Sequence, residues 1–213
     1  MGLSFSRQEL RDLLIAWLAL GLAFTLLLQP QFRSALLGQV GDLTLAAVAS
    51  TLVVSLLTVG VGFLLHELAH KVVAVRFGQV AAFRADYRML GFAIVGALVG
   101  FLFAAPGAVV HRGRISAKEN GLIALAGPVT NLLLAVVFLV PFVAILLSGS
   151  DSGFLWEVAY RGLQINLLLA GFNMLPFGPL DGRKVRAWSN LVFFVVAVPS
   201  ILLAFGALFV LPF

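Results

Sequence analysis

Residues 52–76 read LVVSLLTVGVGFLLHELAHKVVAVR. From 52 to 65 the run is apolar or small apart from Ser55 and Thr58, and then His66, Glu67 and His70 arrive with no turn signal between them. A helix carries positions i and i+4 on one face, so both imidazoles can reach a single ion. Glu67, next to the first histidine, can point at water on that ion, which is thereby polarised and made ready to lose a proton. A hydrocarbon core of about 30 Å takes roughly 20 helical residues to cross, and the apolar run from about 43 to 66 has that length. Ionisable groups in such a span are costly and mark function by default. The competing reading makes His66 and His70 interfacial caps and pairs Glu67 with Lys71, without metal. It leaves three ionisable groups at this spacing unexplained.

The whole chain agrees with a membrane setting. Of its 213 residues 62% are hydrophobic and 11% charged, against about 25% charged in an ordinary soluble domain. A soluble globule of this size could not hide so much apolar surface, and disorder needs the opposite composition. The net charge of +5 does not point to nucleic acid, because the basic residues sit in short clusters between apolar runs. With no cysteine, disulfides, thiolate metal sites and cysteine nucleophiles are excluded. Leu13 to Gln29 is too long for a signal-peptide core, and no small-residue cleavage site follows it.

Five runs are long enough to span: about 11–29, 43–66 with helical pattern continuing to Arg76, 120–147, 154–175 and 188–212. Pro128 and Pro141 lie inside the third and Pro199 inside the fifth. Between the second and third, glycines alternate with short β-rich pieces at 80–87, 92–95 and 108–111. Non-helical backbone at membrane depth needs protein or a water cavity to satisfy it. This region is expected to form a small sheet with a re-entrant segment near 92–105; an additional span there is the alternative. With five spans, every lysine and arginine except Arg33 and Arg161 falls on one side, which the positive-inside rule makes cytoplasmic. The expected fold is a polytopic all-α membrane protein with about five transmembrane helices and a small membrane-associated sheet or re-entrant segment, its N-terminus and active-site opening on the cytoplasmic side.

A catalytic metal usually takes three protein ligands and leaves one position open. Beyond the two motif histidines there is one more histidine, His111, and nine acidic residues. Glu9, Asp12 and Asp42 lie near or outside the ends of the first span, Asp86 and Glu119 in the basic region, Asp151 in the opposite loop and Glu157 near the opposite face. Asp181 follows the fourth span on the side where the second ends. Pro176 and Pro179 break the helix there, and Gly178 and Gly182 permit tight turns, so the chain can aim Asp181 back at the bundle. Taken alone, Asp181 in an ordinary loop with an Asx turn is the plainer reading; beside the histidine motif, a ligand is favoured. His111 is read as an interfacial residue.

H-E-x-x-H on an early span, with Asn173, Pro176, Asp181 and Gly182 after a later one, resembles the site-2 protease family of intramembrane zinc metalloproteases. The likeness covers about 43–190. It implies zinc held by His66, His70 and Asp181, with Glu67 as general base. Gly127-Pro128-Val129-Thr130-Asn131 looks like the family's G-P-x-x-N segment. Asn131 is then a candidate oxyanion donor, or else a polar contact between helices. Asn173 is a candidate substrate-binding residue or a helix-end cap. The expected partners are transmembrane protein substrates and the bilayer. Many relatives carry a PDZ or regulatory domain or a sixth span. No such feature is expected here, so residues 1–213 read as a single membrane-embedded metalloprotease domain.

Residues 77–112 offer a sheet edge on which an unwound substrate could pair. A membrane enzyme trimming prenylated proteins would use glutamate as third ligand, which the Asp181-Gly182 pair disfavours. A divalent-metal transporter or a non-catalytic scaffold is the alternative from another class, but a transporter should show polar positions across several spans or an internal repeat, and spans one and five offer almost none.

Overall fold

Ser6 starts the first helix by accepting the Glu9 N–H on its hydroxyl at 3.1 Å. The computed structural model describes every residue except 1, 37, 39–43, 102–105, 150–152 and 211–213. Helix α1 runs Arg7–Leu28, and a short α2, Pro30–Leu36, follows with proline at its first position. The span carrying the histidines consists of α3 (Leu45–Ser55), one π turn (Leu56–Gly60) and α4 (Val61–Arg76). Trp17 of α1 accounts for the π turn. Its indole N–H donates to the Leu56 carbonyl at 3.0 Å, and its ring lies against Gly60 where a Cβ would not fit. Gly78, at φ 75°, turns the chain after α4.

Strand β1 (Val80–Ala85) pairs antiparallel with β2 (Gly107–Arg112), Phe83 lying opposite Val109. Between them the structure departs from the sequence expectation: 92–95 is not a strand but part of helix α5 (Tyr87–Leu98). Asp86 caps α5 by accepting the Arg88 and Met89 N–H groups at 3.1 and 3.0 Å, and Leu90, Ala93 and Ala97 form its buried stripe at helical spacing. Gly91 and Gly96, which resemble strand punctuation, sit inside this helix. At 12 residues, about 18 Å long, α5 is too short to cross a bilayer. The rest of the expected re-entrant segment, 102–105, lies outside the described residues, as do the start of the second expected span, the end of the fifth, Asp42 and Asp151.

Helix α6 (Ala117–Ser148) opens with a capping box between Ser116 and Glu119. The Glu119 carboxylate accepts from both the Ser116 N–H, at 2.7 Å, and the Ser116 hydroxyl, at 2.8 Å. Helices α7 (Phe154–Asn173), α8 (Asp181–Trp188) and α9 (Asn190–Val210) complete the chain. Among the described residues four helical stretches are long and apolar enough to cross a membrane: α1, α3 through α4, α6 and α9. The fifth expected span, α7, has 20 residues but carries Glu157, Arg161, Gln164, Asn166 and Asn173, and it packs against both α6 and α9.

Side chains are distributed inside out relative to a soluble protein. Leu14, Leu18, Leu133, Val137, Val140 and Leu202 face outward, while Thr25, Ser55, Thr58, Asn131, Gln164 and Asn166 are buried. Lipid tails are as apolar as leucine, so helices associate through close packing of small residues and through hydrogen bonds. Ala16, Ala23, Ala97, Ala124, Ala159 and Ala170 sit at such contacts with almost no exposure. The protein is an integral membrane protein.

Candidate metal centre

Helix α4 places the His66 and His70 rings 4.6 Å apart. Helix α6 lies against them because residue 127 is glycine: a Cβ there would sit 2.5 Å from His66 Cε1 and 2.6 Å from His70 Cε1. One turn further on, Asn131 Oδ1 accepts from His66 Nδ1 at 2.6 Å, and the Ile123 carbonyl accepts from His70 Nδ1 at 2.7 Å.

These bonds decide the tautomers. The Gly162 carbonyl can only accept, so Asn166 turns its Nδ2 to it, at 2.8 Å. Asn166 Oδ1 then faces Asn131 Nδ2 at 2.9 Å, and the same Nδ2 reaches the Gly62 carbonyl at 3.2 Å. Asn131 is left with its oxygen toward His66. Both histidines therefore carry a proton on Nδ1, and both Nε2 atoms face the same point.

Asp181 supplies the third group. Its segment turns at Gly178, at φ 61°, and Gly182 packs against the Met174 and Leu175 carbonyls with no room for a Cβ. Asp181 stands in the first turn of α8, not in an Asx-turn loop. Its Oδ2 lies 3.3 Å from His66 Nε2 and 3.2 Å from His70 Nε2, while Oδ1 lies 3.5 Å from Lys184 Nζ. Burial pushes this carboxyl up, but the facing imidazoles of His70 and His66 outweigh burial and hold it below the usual carboxylate range. All three residues are buried, and their donor atoms lie within 4.8 Å of one another. Two nitrogen lone pairs and an ionised oxygen at one buried point repel unless positive charge lies among them. Two imidazole protons can supply it, and so can a single divalent ion that replaces them. The donor set suits zinc by ligand type and number.

Glu67 points beside this cluster and accepts the Val109 N–H of β2 on Oε2 at 3.1 Å. It shares with the three metal-site residues a cavity of about 980 Å³ whose far wall is the strand segment around Val109 and His111. Asn173 lines the same cavity and donates to the Leu169 carbonyl at 2.9 Å. His111 lines it too but lies outside the three-residue donor cluster; burial, then Lys184 and His70, lower its pKa. Asn131 stands behind His66 with its oxygen and both amide protons engaged in contacts between helices, the second of the two roles the sequence offered it, and no N–H is left free for the first. Lys71 bonds Glu9, not Glu67, and His66 and His70 lie within α4 and not at its cap. The partners Ile123, Asn166 and Val109 were not legible in sequence, two of them being backbone groups. Lys71 did carry a signal, as a cation next to a span that must find a counter-charge.

A polytopic membrane protein with a buried His-His-Asp cluster and a glutamate beside it is the class that fold and site define. The chain is 40% identical over 200 residues, covering 92% of itself and 93% of the relative, to "Putative zinc metalloprotease MJ0611" of Methanocaldococcus jannaschii. It is 35% identical over 149 residues to "Putative zinc metalloprotease YwhC" of Bacillus subtilis, covering 61% of this chain and 65% of that one. It is 37% identical over 127 residues to "Putative zinc metalloprotease Rip3" of Mycobacterium tuberculosis, covering 59% of this chain and 28% of that one. No family model and no solved structure matches. The chain belongs to the site-2 protease family of zinc metalloproteases.

Proposed function

We propose that the protein is an intramembrane zinc metalloendopeptidase that hydrolyses peptide bonds within or next to transmembrane segments of membrane proteins. The observation that carries this reading is the convergence at one buried point of His66 Nε2 and His70 Nε2, from a helix long and apolar enough to span the bilayer, with Asp181 Oδ2 from the short α8. His66, His70 and Asp181 hold zinc, and Glu67 is the general base. When bound, zinc supplies Lewis-acid polarisation of a water and of the scissile carbonyl.

The chain's own groups do the rest. Glu67 takes a proton from the attacking water and returns it to the leaving amine as the C–N bond breaks. The Val109 N–H orients its carboxylate. Asn131 is a positioning residue that fixes the His66 ring through Nδ1. Asn173, on the cavity wall, contacts the substrate backbone. A substrate helix has its amides already bonded, so it must unwind before its carbonyl reaches this cavity. The cluster of basic residues near the motif end of α4 supports an opening on the cytoplasmic side.

The test is cleavage of a transmembrane test substrate by the purified protein, comparing wild type, Glu67→Gln and wild type with a zinc chelator. Turnover is expected in wild type alone, with zinc content unchanged in Glu67→Gln. Cleavage that persists in the other two samples overturns the mechanism.

A further inference from the structure

The N-terminal segment is tied to the back of the site. Lys71 is 1% exposed and lies one residue beyond His70. Its Nζ donates to both Glu9 carboxylate oxygens at 2.6 Å and to the Ser4 carbonyl at 2.6 Å, with the Phe5 ring 3.7 Å away. Glu9 is equally buried and has a second task, since its Oε1 accepts the Phe83 N–H of β1 at 3.0 Å.

Phe83 is the register partner of Val109. Where the N–H groups of an antiparallel pair point away from each other, they belong to the sheet's outer edges. Here one outward N–H is taken by Glu9 and the other by Glu67. The contacts close a ring: Glu67 to Val109, across the strand pair to Phe83, to Glu9, to Lys71, and back along one turn of α4. The two-stranded sheet is thus clamped between a carboxylate on α1 and the candidate base on α4.

We propose that Glu9 is a positioning residue for Glu67, acting through its bond to the Phe83 N–H, which holds the hairpin where Val109 can orient the base. The proposal rests on the reading of Glu67 as general base. The Lys71 contact neutralises Glu9, whereas the Phe83 contact transmits position. The two can be separated, because glutamine keeps an acceptor oxygen for Phe83 and leucine does not.

The experiment compares the double variants Glu9→Gln/Lys71→Met and Glu9→Leu/Lys71→Met, both without buried charge, for kcat, KM, zinc content and amide exchange over 107–112. Expected is equal zinc content and equal KM, with kcat about 10- to 100-fold lower and faster strand exchange in the leucine variant, the size of loss that a misplaced catalytic group produces. Equal kcat in the two overturns the proposal. Should the leucine variant fail to accumulate, Glu9→Asp decides: it keeps the charge opposite Lys71 but withdraws the oxygen from Phe83. Lower kcat with zinc retained supports the proposal, and unchanged kcat overturns it. Glu67→Gln, run alongside, isolates the underlying reading, because wild-type turnover there removes the base itself whatever Glu9 does.

Discussion

Asn131 Oδ1 lies 2.6 Å from His66 Nδ1, and the amide that places it is held by Gly62 and Asn166. An asparagine that the sequence offered either as an oxyanion donor or as a polar contact between helices thus stands behind His66, fixing which of its ring nitrogens is free. Partners of this kind typically contribute 10- to 100-fold to metal affinity. Asn131→Leu is therefore expected to lower zinc affinity about 10- to 100-fold, measured by competition with a chromophoric chelator. Unchanged affinity would remove Asn131 from the site.

Gly127 sets how closely α6 can approach the histidines. A Cβ at this position meets His66 within 2.5 Å. Overpacking of this kind costs about 1–3 kcal/mol. Gly127→Ala should lower both thermal stability and zinc content. A variant with wild-type melting temperature and full zinc would show that the helices separate freely here.

Asp181 brings the anionic oxygen of the cluster, and its other oxygen is turned toward Lys184. Asp181→Ala should lose zinc on dialysis under conditions where wild type retains it, as read by metal analysis. The thermal shift that added zinc produces in the wild type should vanish with it, since a ligand stabilises only the state that binds it. Zinc retained at wild-type stoichiometry would assign the third ligand elsewhere.

Lys71 and Glu9 form a buried pair in which neither side chain has another counter-charge among the described residues. Removing one partner of such a pair costs about 3–5 kcal/mol, because the other charge stays buried, whereas replacing both with apolar groups is often close to neutral. Lys71→Met should thus destabilise far more than Lys71→Met combined with Glu9→Leu. Unfolding in a denaturing detergent titration gives the comparison, and equal losses would mean the pair is not desolvated.

The chain has no cysteine, so orientation can be read with single introduced thiols. Lys118, in the first turn of α6, and Gln31, in α2 just after the end of α1, are both exposed. With the proposed orientation, Lys118→Cys should react with an impermeant maleimide only from the cytoplasmic side and Gln31→Cys only from the other. The reverse pattern would invert the topology.

Much of the architecture was written locally. Apolar runs of spanning length, Ser6, Ser116 and Asp86 as caps, and two histidines at i and i+4 are short-range features, and each depends on its own segment. The strand at 92–95 was misread for the same reason: glycines punctuate strands in general, and only the Asp86 cap and the 90, 93, 97 stripe reveal a helix.

By itself the sequence determined that the protein lies in a membrane, that α4 carries two imidazoles and a carboxylate on neighbouring faces, and that Asp181 follows a break in the chain. Periodicity and span length are properties of one stretch of backbone, so one stretch suffices to read them. Tertiary structure alone decided that Asp181 reaches the histidines, that Gly127 and Asn131 back them, and that Lys71 answers to Glu9 and not Glu67. Each of those contacts joins residues far apart in the chain, several through backbone carbonyls or N–H groups that every residue possesses. Which of these groups meets which side chain is set by how the helices and the hairpin pack, and no local pattern encodes it.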